Sequence, residues 1–319
     1  MPEEMRPGAR YLMIEARDLT KRYGKTIAVD HLSFTVEPGR VTGFLGPNGA
    51  GKSTTMRLIL GLDRPQAGTA TINRLPYRSL HHPLKIVGAL LEAKSVHPGR
   101  SAHSHLLSLA QTQRLPGRRV DEVLERVGLQ DVARKRVGGF SLGMNQRLAL
   151  AGALLGDPQV LLLDEPVNGL DPEGVLWIRN LMKELASDGR TVFVSSHLLN
   201  EMAVTADHLV VIGRGRLIAD CSTQEFIARN SGKSVLARTL DAGKLTELIT
   251  AAGGTARPEG QPDPDGMTTL AITGMEARRI GELAAAANVA LYELTQRASL
   301  EEAFLETTAA SQEFGASAP

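Results

Sequence analysis

Short apolar runs alternate along the first two thirds of the chain with stretches whose apolar positions recur every three to four residues. The apolar runs predict strands at 14–19, 27–36, 41–46, 68–73, 160–164, 191–197 and 208–213. The helical pattern predicts helices at 52–60, 106–113 and 120–128, directly after FSLG (140–143), at 174–186 and between 197 and 208. Residues 74–104 show neither pattern and are predicted to be irregular. Because several strands are apolar throughout, the pattern indicates an α/β fold built on a buried, largely parallel sheet.

The composition changes near Gly232, and a second pattern begins at Val235. It runs strand, helix, a Pro/Gly/Asp-rich turn, strand, helix, strand and helix, which predicts a small α+β domain of ferredoxin-like order. Ser299 and Glu302 form a capping-box pattern at the start of the last helix. We therefore divide the chain into an N-terminal extension, a main domain with a helical subdomain, and an accessory domain. Their bounds are 1–13, 14–225 (helical subdomain about 101–155) and 226–319.

Composition and charge indicate which partners and which cellular compartment suit the chain. The 319 residues carry a net charge of +1 and no long basic run, so we expect no nucleic-acid partner. Cys221 is the one cysteine, which fits a reducing compartment. The N-terminus resembles no signal peptide, and Met13 is an alternative start. No apolar run reaches the ~18 residues of a spanning helix, so any membrane crossing falls to another chain.

The stretch GPNGAGKST (46–54) stands between a predicted buried strand and a predicted helix. It fits the phosphate-loop pattern in the context that this pattern requires, which makes a chance glycine turn the weaker alternative. Glycines permit a tight loop whose N–H groups point at phosphate oxygens, Lys52 supplies positive charge, and the Ser53 hydroxyl suits Mg²⁺. The predicted nucleotide-binding residues are Gly46, Pro47, Asn48, Gly49, Ala50, Gly51, Lys52, Ser53 and Thr54.

Two adjacent acids, Asp164 and Glu165, end the apolar run VLLLDEP (160–166). Buried carboxylates are costly unless they hold a metal or accept hydrogen bonds. Beside a phosphate loop, Asp164 would organise Mg²⁺ and Glu165 would deprotonate an attacking water. The alternative is a pair of solvated acids that cap the next helix.

The order of GPNGAGKST, FSLGM, VLLLDEP, NGLD (168–171) and SSH (195–197) resembles that of an ABC-transporter ATPase subunit, over about 14–225. FSLGM, GALLEA (88–93) and SLEEAFLE (299–306) resemble the branch that exports drugs and peptide antibiotics. The resemblance implies an ABC ATPase fold: a phosphate-loop core with an antiparallel β part and a helical subdomain. It also implies a motor that hydrolyses ATP with Mg²⁺ for a separate transmembrane permease, at the cytoplasmic face of the membrane.

Three further residues take roles from this resemblance. Tyr23 matches the aromatic residue that stacks on adenine, although a lone tyrosine can also be a surface turn residue. His197 matches the switch histidine that contacts the γ-phosphate; out of context it would be an ordinary strand-end histidine. Asp171 matches the residue that couples two nucleotide sites across a dimer, and it also suits a helix cap before Pro172.

The signature stretch FSLGMNQR (140–147) is a second anion site in a chain that already has one. In the family that it resembles, this stretch meets the γ-phosphate held by a second ATPase domain. Ser141 and Gly143 would contact that phosphate, whereas Leu142 and Met144 stand where the commoner signature has other residues and suit packing. One phosphate loop and one signature per chain therefore imply a homodimer.

Three departures from the family pattern involve four positions. Glu92 stands where a Mg²⁺-binding glutamine is usual; the resemblance implies that its carboxylate ligates the metal, although it adds negative charge beside ATP. Lys94 and His97 stand where the export branch often has proline and tyrosine, and Arg74 replaces a turn glycine. These departures concern the partner-facing surface more than the ATP chemistry, since residues around 86–105 resemble the region of the family that contacts the permease.

Five histidines fall within 81–105, which raises the alternative of a metal site. His103 and His105 would point to different sides of a helix, so a solvated polar stretch is the preferred interpretation. The remaining members are His81, His82 and His97.

Two other functions compete with the transporter subunit. A soluble ABC-type regulator without a permease usually has two ATPase domains or a long coiled-coil insertion, and this sequence shows neither. An unrelated phosphate-loop kinase would leave FSLGM and the spacing to His197 unexplained.

Overall fold

The computed structural model describes residues 12–91, 96–230 and 234–297, together with residues 300, 301, 303, 304 and 307. The chain divides into two compact units, Met1–Thr223 and Gln224–Pro319. The N-terminal extension before residue 12 lies outside the described residues, as do Ser299 and Glu302 of the capping-box pattern.

The first unit contains two sheets and the helices that pack on them. Its described strands are β1 (Ile14–Tyr23), β2 (Thr26–Val36), β3 (Val41–Leu45), β4 (Ala67–Ile72), β5 (Val87–Leu90), β6 (Val160–Asp164), β7 (Thr191–Ser195), β8 (His208–Gly213) and β9 (Arg216–Ser222). Its described helices are α1 (Lys52–Ile59), α2 (Ala102–Thr112), α3 (Arg118–Arg126), α4 (Leu142–Leu154), α5 (Pro172–Ser187) and α6 (Leu199–Thr205).

The main sheet has the strand order β5-β6-β7-β3-β8-β9, and all its pairs are parallel except β8 with β9. Every residue of β3, β6 and β7 is buried, as continuous apolar strands require. A separate antiparallel sheet has the order β2-β1-β4. The predicted α/β fold with an added antiparallel part is confirmed.

Each strand predicted in the first unit begins within one residue of its predicted start, but two strands were missed. β5 lies inside 74–104, so the prediction of an irregular segment there is wrong. It has only four residues and includes a glycine, which leaves too short a pattern to detect. β9 has mostly half-exposed or exposed residues, and its antiparallel pairing with β8 at the sheet edge is not visible in sequence.

Helix α2 begins four residues before its predicted start at residue 106, because a side chain caps it. The Ser101 hydroxyl accepts a hydrogen bond from the Ser104 N–H at 3.1 Å. The intervening polar residues show no apolar period, so the pattern alone placed the start too late. Together with α3 and α4, α2 forms the helical part of the first unit.

Helix α7 (Thr223–Asn230) precedes the second sheet along the chain. The described elements that follow are β10 (Ser234–Thr239), α8 (Ala242–Ala251), β11 (Thr255–Pro258), β12 (Thr268–Thr273), α9 (Ala277–Ala286) and β13 (Glu293–Arg297). These strands form an antiparallel sheet in the order β11-β12-β10-β13, and α8 and α9 pack against it. This is the βαββαβ order of a ferredoxin-like fold. The last strand begins four residues after its predicted start, because Val289 is a buried loop residue in the core.

Three aromatic rings form the centre of the first unit's core, where the antiparallel sheet packs on the parallel one. The Phe193 ring lies 4.9 Å from that of Phe44 and 5.5 Å from that of Phe34, measured between centroids. Phe44 and Phe193 are fully buried. The cluster joins β2, β3 and β7, and thereby fixes the strands that precede the phosphate loop and the predicted switch histidine.

We predict that Phe193→Ala lowers the free energy of unfolding by about 3–5 kcal/mol, because it removes a buried ring and leaves a cavity. The urea midpoint of the full chain measures this change. Tyr292→Ala, which truncates an exposed ring, serves as the control and should shift stability by less than about 0.5 kcal/mol. Equal effects of the two substitutions would contradict this account of the core.

Candidate functional site

The candidate site lies at the carboxyl ends of three adjacent parallel strands. Ser195 in β7 pairs with Asp164 in β6 on one side and with Phe44 in β3 on the other. The phosphate loop follows β3, Glu165 follows β6, and His197 follows β7. The register of the sheet therefore brings together three motifs that are far apart in the sequence.

The phosphate loop forms one wall of a cavity of about 290 Å³, and the two acids form part of another. Gly51 has φ +104°, and a Cβ there would lie 2.3 Å from the Ala28 carbonyl oxygen, so only glycine fits. This tight turn leads directly into α1 at Lys52. The cavity is lined by Ala28, Asn48, Gly49, Gly51, Lys52, Ser53, Thr54, Asp164 and Glu165.

The Lys52 side chain folds back over the phosphate loop and donates to carbonyl oxygens at the start of that loop. Lys52 is only 8% exposed, and Nζ donates to the carbonyl oxygens of Gly46 at 2.6 Å and Pro47 at 3.3 Å. Burial lowers the pKa of Lys52, while the charges of Glu165 and Asp164 act in the opposite direction. The lysine is thus a positioned positive charge within the cavity that the two carboxylates share.

A short hydrogen-bond chain links the two acids through Ser195. The Glu165 N–H donates to Ser195 Oγ at 3.1 Å, and the Ser195 hydroxyl donates to an Asp164 carboxylate oxygen. The Glu165 N–H also contacts the Ser195 carbonyl oxygen at 3.2 Å. Buried Ser195 therefore compensates the burial of Asp164 and fixes the backbone from which Glu165 projects.

Glu165 and His197 contact each other directly. Glu165 Oε2 lies 2.7 Å from His197 Nδ1 and accepts from the His197 N–H at 3.3 Å. Both side chains remain partly open to solvent, the histidine more than the glutamate. The backbone of Glu165 has φ +50°, a conformation that is strained for a residue with a side chain.

Tyr23 stands at the end of β1 and is anchored to the segment after α1. Its hydroxyl donates to Asp63 Oδ2 at 2.8 Å, and Arg57 Nε donates to the same oxygen. Partial burial raises the pKa of Tyr23, with a further contribution from Asp63. The hydrogen bond from Arg57 lowers the pKa of Asp63. The exposed ring is thus oriented by contacts that the sequence did not indicate.

The signature residues do not line the cavity of their own chain. Ser141 caps α4 by accepting from the Met144 N–H at 3.2 Å, and Leu142 is exposed. Asp171 caps α5 by accepting from the Gly174 N–H at 3.0 Å. Both capping interpretations are confirmed, and the signature residues lie outside the cavity formed by the chain's own phosphate loop.

Glu92 and Lys94, which the sequence also singled out, lie outside the described residues. Among the described residues, no group of three or more His, Cys, Asp or Glu side chains could hold a metal ion. In the same part of the chain, no helix combines the length and the apolar character that crossing a bilayer demands.

Two residues at the site were not identified from the sequence. Ser195 lies within SSH and Gln146 lies within FSLGMNQR, so both stood inside recognised motifs. The pairing of Asp164 with Ser195 would have identified the serine, but strand register cannot be read from a single sequence. Gln146 donates to the carbonyl oxygens of Glu165 and Pro166, contacts that require the packed fold.

A parallel sheet with a phosphate loop after one strand and two acids after another defines a phosphate-loop NTPase. A family described as "ABC transporter" matches residues 29–168, and a domain of unknown function matches residues 233–301. A bacitracin transport ATP-binding protein of Bacillus licheniformis is 42% identical over 68% of this chain and 72% of its own length. A Nod factor export ATP-binding protein of Burkholderia lata is 36% identical over 70% and 75% respectively.

Solved structures agree with this assignment. The structure of an ATP-binding subunit of an ABC transporter has a TM-score of 0.63 and 26% identity, and the match covers 68% of this chain and 92% of that one. A dimeric cassette in a post-hydrolysis state, bound to ADP and phosphate, shares the fold at a TM-score of 0.60 and 24% identity. That match covers 66% of this chain and 98% of that one.

The chain belongs to the ATP-binding subunits of ABC transporters. It is accordingly an ATPase that acts as the motor of such a transporter.

Proposed function

We propose that the chain works as a homodimer that hydrolyses ATP to drive a separate transmembrane permease. The observation that supports this most directly is the cavity shared by Lys52, Ser53, Asp164 and Glu165. It combines a positive charge for phosphates, oxygen ligands for a cation and a carboxylate for proton transfer. No other cavity described in the first unit combines these groups.

The donor set suits Mg²⁺, which prefers oxygen ligands and phosphate oxygens. The Ser53 hydroxyl and the Asp164 carboxylate both line the cavity and would hold the ion, with Glu92 as a further candidate. Mg²⁺ bound there would neutralise charge on the β- and γ-phosphates. Lys52 would transfer its hydrogen bonds from the loop carbonyls to those phosphates, and Tyr23 would stack on the adenine.

Glu165 then serves as the general base. It accepts a proton from water while the water oxygen bonds to the γ-phosphorus, and the bond from that phosphorus to the bridging oxygen breaks to leave ADP. His197 orients the carboxylate through the 2.7 Å contact and contacts the γ-phosphate. Ser195 fixes the backbone on which both acids stand.

The signature completes the active site of a second copy. Ser141 and Gly143 lie at the N-terminus of α4, where free N–H groups and the helix dipole attract an anion. Because these residues do not line their own cavity, they are available to the γ-phosphate of the partner chain. Asp171 couples the two sites, and closure requires ATP because its phosphates supply the contacts between the chains.

An apolar groove in the first unit is the proposed docking site for the permease. It has a volume of about 460 Å³ and lies between α2, α4 and the β5 region. Leu62 lines it and is 57% exposed, so apolar surface of the groove is open to solvent. The groove includes part of 86–105, the region that resembles the permease-contacting segment. The subunit would thereby sit at the cytoplasmic face of the membrane.

The relatives named for bacitracin transport and Nod factor export support export as the direction of transport. Drugs or peptide antibiotics are accordingly the proposed class of transported molecules.

We keep the domain bounds proposed from the sequence, with the ATPase domain at 14–225 and its helical subdomain at about 101–155. The accessory domain at 226–319 follows, and the N-terminal extension at 1–13 precedes them.

We predict that Glu165→Gln retains ATP binding and slows hydrolysis by ~10²-fold or more, because the amide cannot accept the proton. Single-turnover hydrolysis and nucleotide affinity of the purified full chain measure the two effects. Glu247→Gln, the same change at an exposed position of α8 in the second unit, should leave both unchanged. A near-normal single-turnover rate in Glu165→Gln would remove Glu165 from the role of base.

We predict that the Glu165→Gln chain sediments as a dimer with ATP and as a monomer without it. Adding Ser141→Ala and Gly143→Asp should abolish the dimer, because a carboxylate then faces the partner's γ-phosphate. Gly117→Asp introduces the same charge at the start of α3, with open space around its Cβ, and should leave the dimer intact. A dimer that persists in the signature variant would contradict assembly through the signature.

We predict that a multi-span membrane protein copurifies with the chain from detergent-solubilised membranes. Leu62→Glu should reduce its recovery at least tenfold, because it places a charge in the apolar groove. Leu217→Glu alters another exposed apolar residue outside that groove and should not. Recovery with ribosomes and without a membrane protein would favour the soluble regulator instead.

A further inference from the structure

Gln146 connects the signature helix to the backbone of the candidate base. Its side chain is 4% exposed, and Nε2 donates to the carbonyl oxygens of Glu165 at 3.2 Å and Pro166 at 2.8 Å. Both acceptors are backbone atoms in the loop that carries Glu165. The Glu165 carbonyl also accepts from the Asn168 N–H at 3.2 Å, and Gln146 adds a side-chain donor to both carbonyls.

The backbone that Gln146 contacts is strained and is held from two sides. Glu165 has φ +50°, a conformation that persists only where the surroundings enforce it. On one side, Ser195 accepts from the Glu165 N–H. On the other side, Gln146 donates to the Glu165 carbonyl. The backbone from which the glutamate projects is thus held by Ser195 of β7, by Gln146 of α4 and by the Asn168 N–H within the loop.

Helix α4 contacts the same loop at a second point, one turn earlier. A Cβ at Gly169 would lie 2.3 Å from Leu142 Cδ2, so the leucine packs where the loop has no side chain. Leu142 and Gln146 are four residues apart and share one face of the helix. This explains why the signature carries leucine at 142: its side chain fits against a glycine at 169. The helix and the loop 165–171 are consequently in contact at both ends of the loop.

The next residue of α4 extends this contact to the following helix. The Arg147 guanidinium lies 5.1 Å from the centre of the Trp177 ring on α5 and donates to the Val127 carbonyl at 3.1 Å. The start of α4, the Glu165 loop and the first turns of α5 therefore pack together. A displacement of α4 reaches the Glu165 carbonyl through a single side chain.

We propose that Gln146 is a positioning residue that holds Glu165 in its reactive orientation and links each chain's signature helix to the base in the same chain. The inference rests on the proposed function of Glu165 and of the signature. Since Ser141 contacts the partner's nucleotide, the occupancy of one site alters the geometry of the base in the other. The coupling runs within one chain, from its Ser141 through α4 to its Glu165.

The test uses Gln146→Met in the full chain, which keeps a similar length and removes the donor. Hydrolysis should slow at least tenfold, because a displaced base loses its alignment with the attacking water. The KM for ATP and the nucleotide affinity should stay within about twofold, since Gln146 does not line the cavity. Gln113→Met, the same change on a glutamine of the helical part, should leave all three values unchanged.

A double-mutant comparison separates positioning from a general structural role. In the Glu165→Gln background, adding Gln146→Met should reduce the residual single-turnover rate by less than about twofold, because the group through which it acts is already disabled. The same tenfold loss in both backgrounds would overturn the proposal. So would an unchanged turnover in Gln146→Met, or a raised KM with unchanged turnover.

Gln146→Asn provides a second variant should Gln146→Met fail to fold. It keeps the carboxamide but is one methylene shorter, so it should show the same loss of turnover at unchanged KM. Normal turnover in Gln146→Asn would overturn the proposal. If Glu165→Gln itself hydrolyses ATP normally, the proposed function fails; if Glu165→Gln is slow and the Gln146 variants are normal, only this inference fails.

Discussion

The parallel pairing of β3, β7 and β6 is the constraint on which the candidate site depends. Ser195 stands in register with Phe44 on one side and with Asp164 on the other. Because the strands are buried throughout, a shift of one residue would place core side chains in the wrong layer, so the register is firmly set. The phosphate loop, the two acids and the histidine follow these strands directly and therefore meet at one edge of the sheet.

The buried polar groups at that edge, Lys52, Asp164 and Ser195, are stabilised by hydrogen bonds to protein groups rather than to solvent. Lys52 donates to the carbonyls of its own loop, and the Ser195 hydroxyl bridges the Glu165 N–H and the Asp164 carboxylate. Such contacts offset the cost of burying the groups and fix their directions at the same time. The strained backbone at Glu165 is consistent with this arrangement, since a residue in that conformation needs partners on both sides.

The sequence was sufficient for the features that depend on local chemistry. The starts of the strands follow from the apolar runs. The loop at 46–54 is recognisable because its glycines, lysine and serine are contiguous in the sequence and act within one loop. The sequence was insufficient for residues whose hydrogen-bond partners lie far away along the chain. Ser195 and Gln146 stood inside recognised motifs, yet their partners are set by strand register and by the packing of α4. β5 escaped detection because four residues with a glycine carry no measurable period.

The two ends of helix α4 differ in burial, and its composition follows this difference. At its start, Ser141 is exposed and Gly143 half-buried, and neither residue lines the chain's own phosphate cavity, so the helix buries little there. One turn later, Gln146 turns inward to the loop of its own base, and the apolar residues that follow fix the helix against β5. In the proposed dimer, an anion of the partner chain would therefore act on the start of α4. Leu142 at that start packs against Gly169, and Gln146 is the first buried side chain of the helix and contacts the Glu165 carbonyl, so both ends of the loop that carries the base would receive the movement.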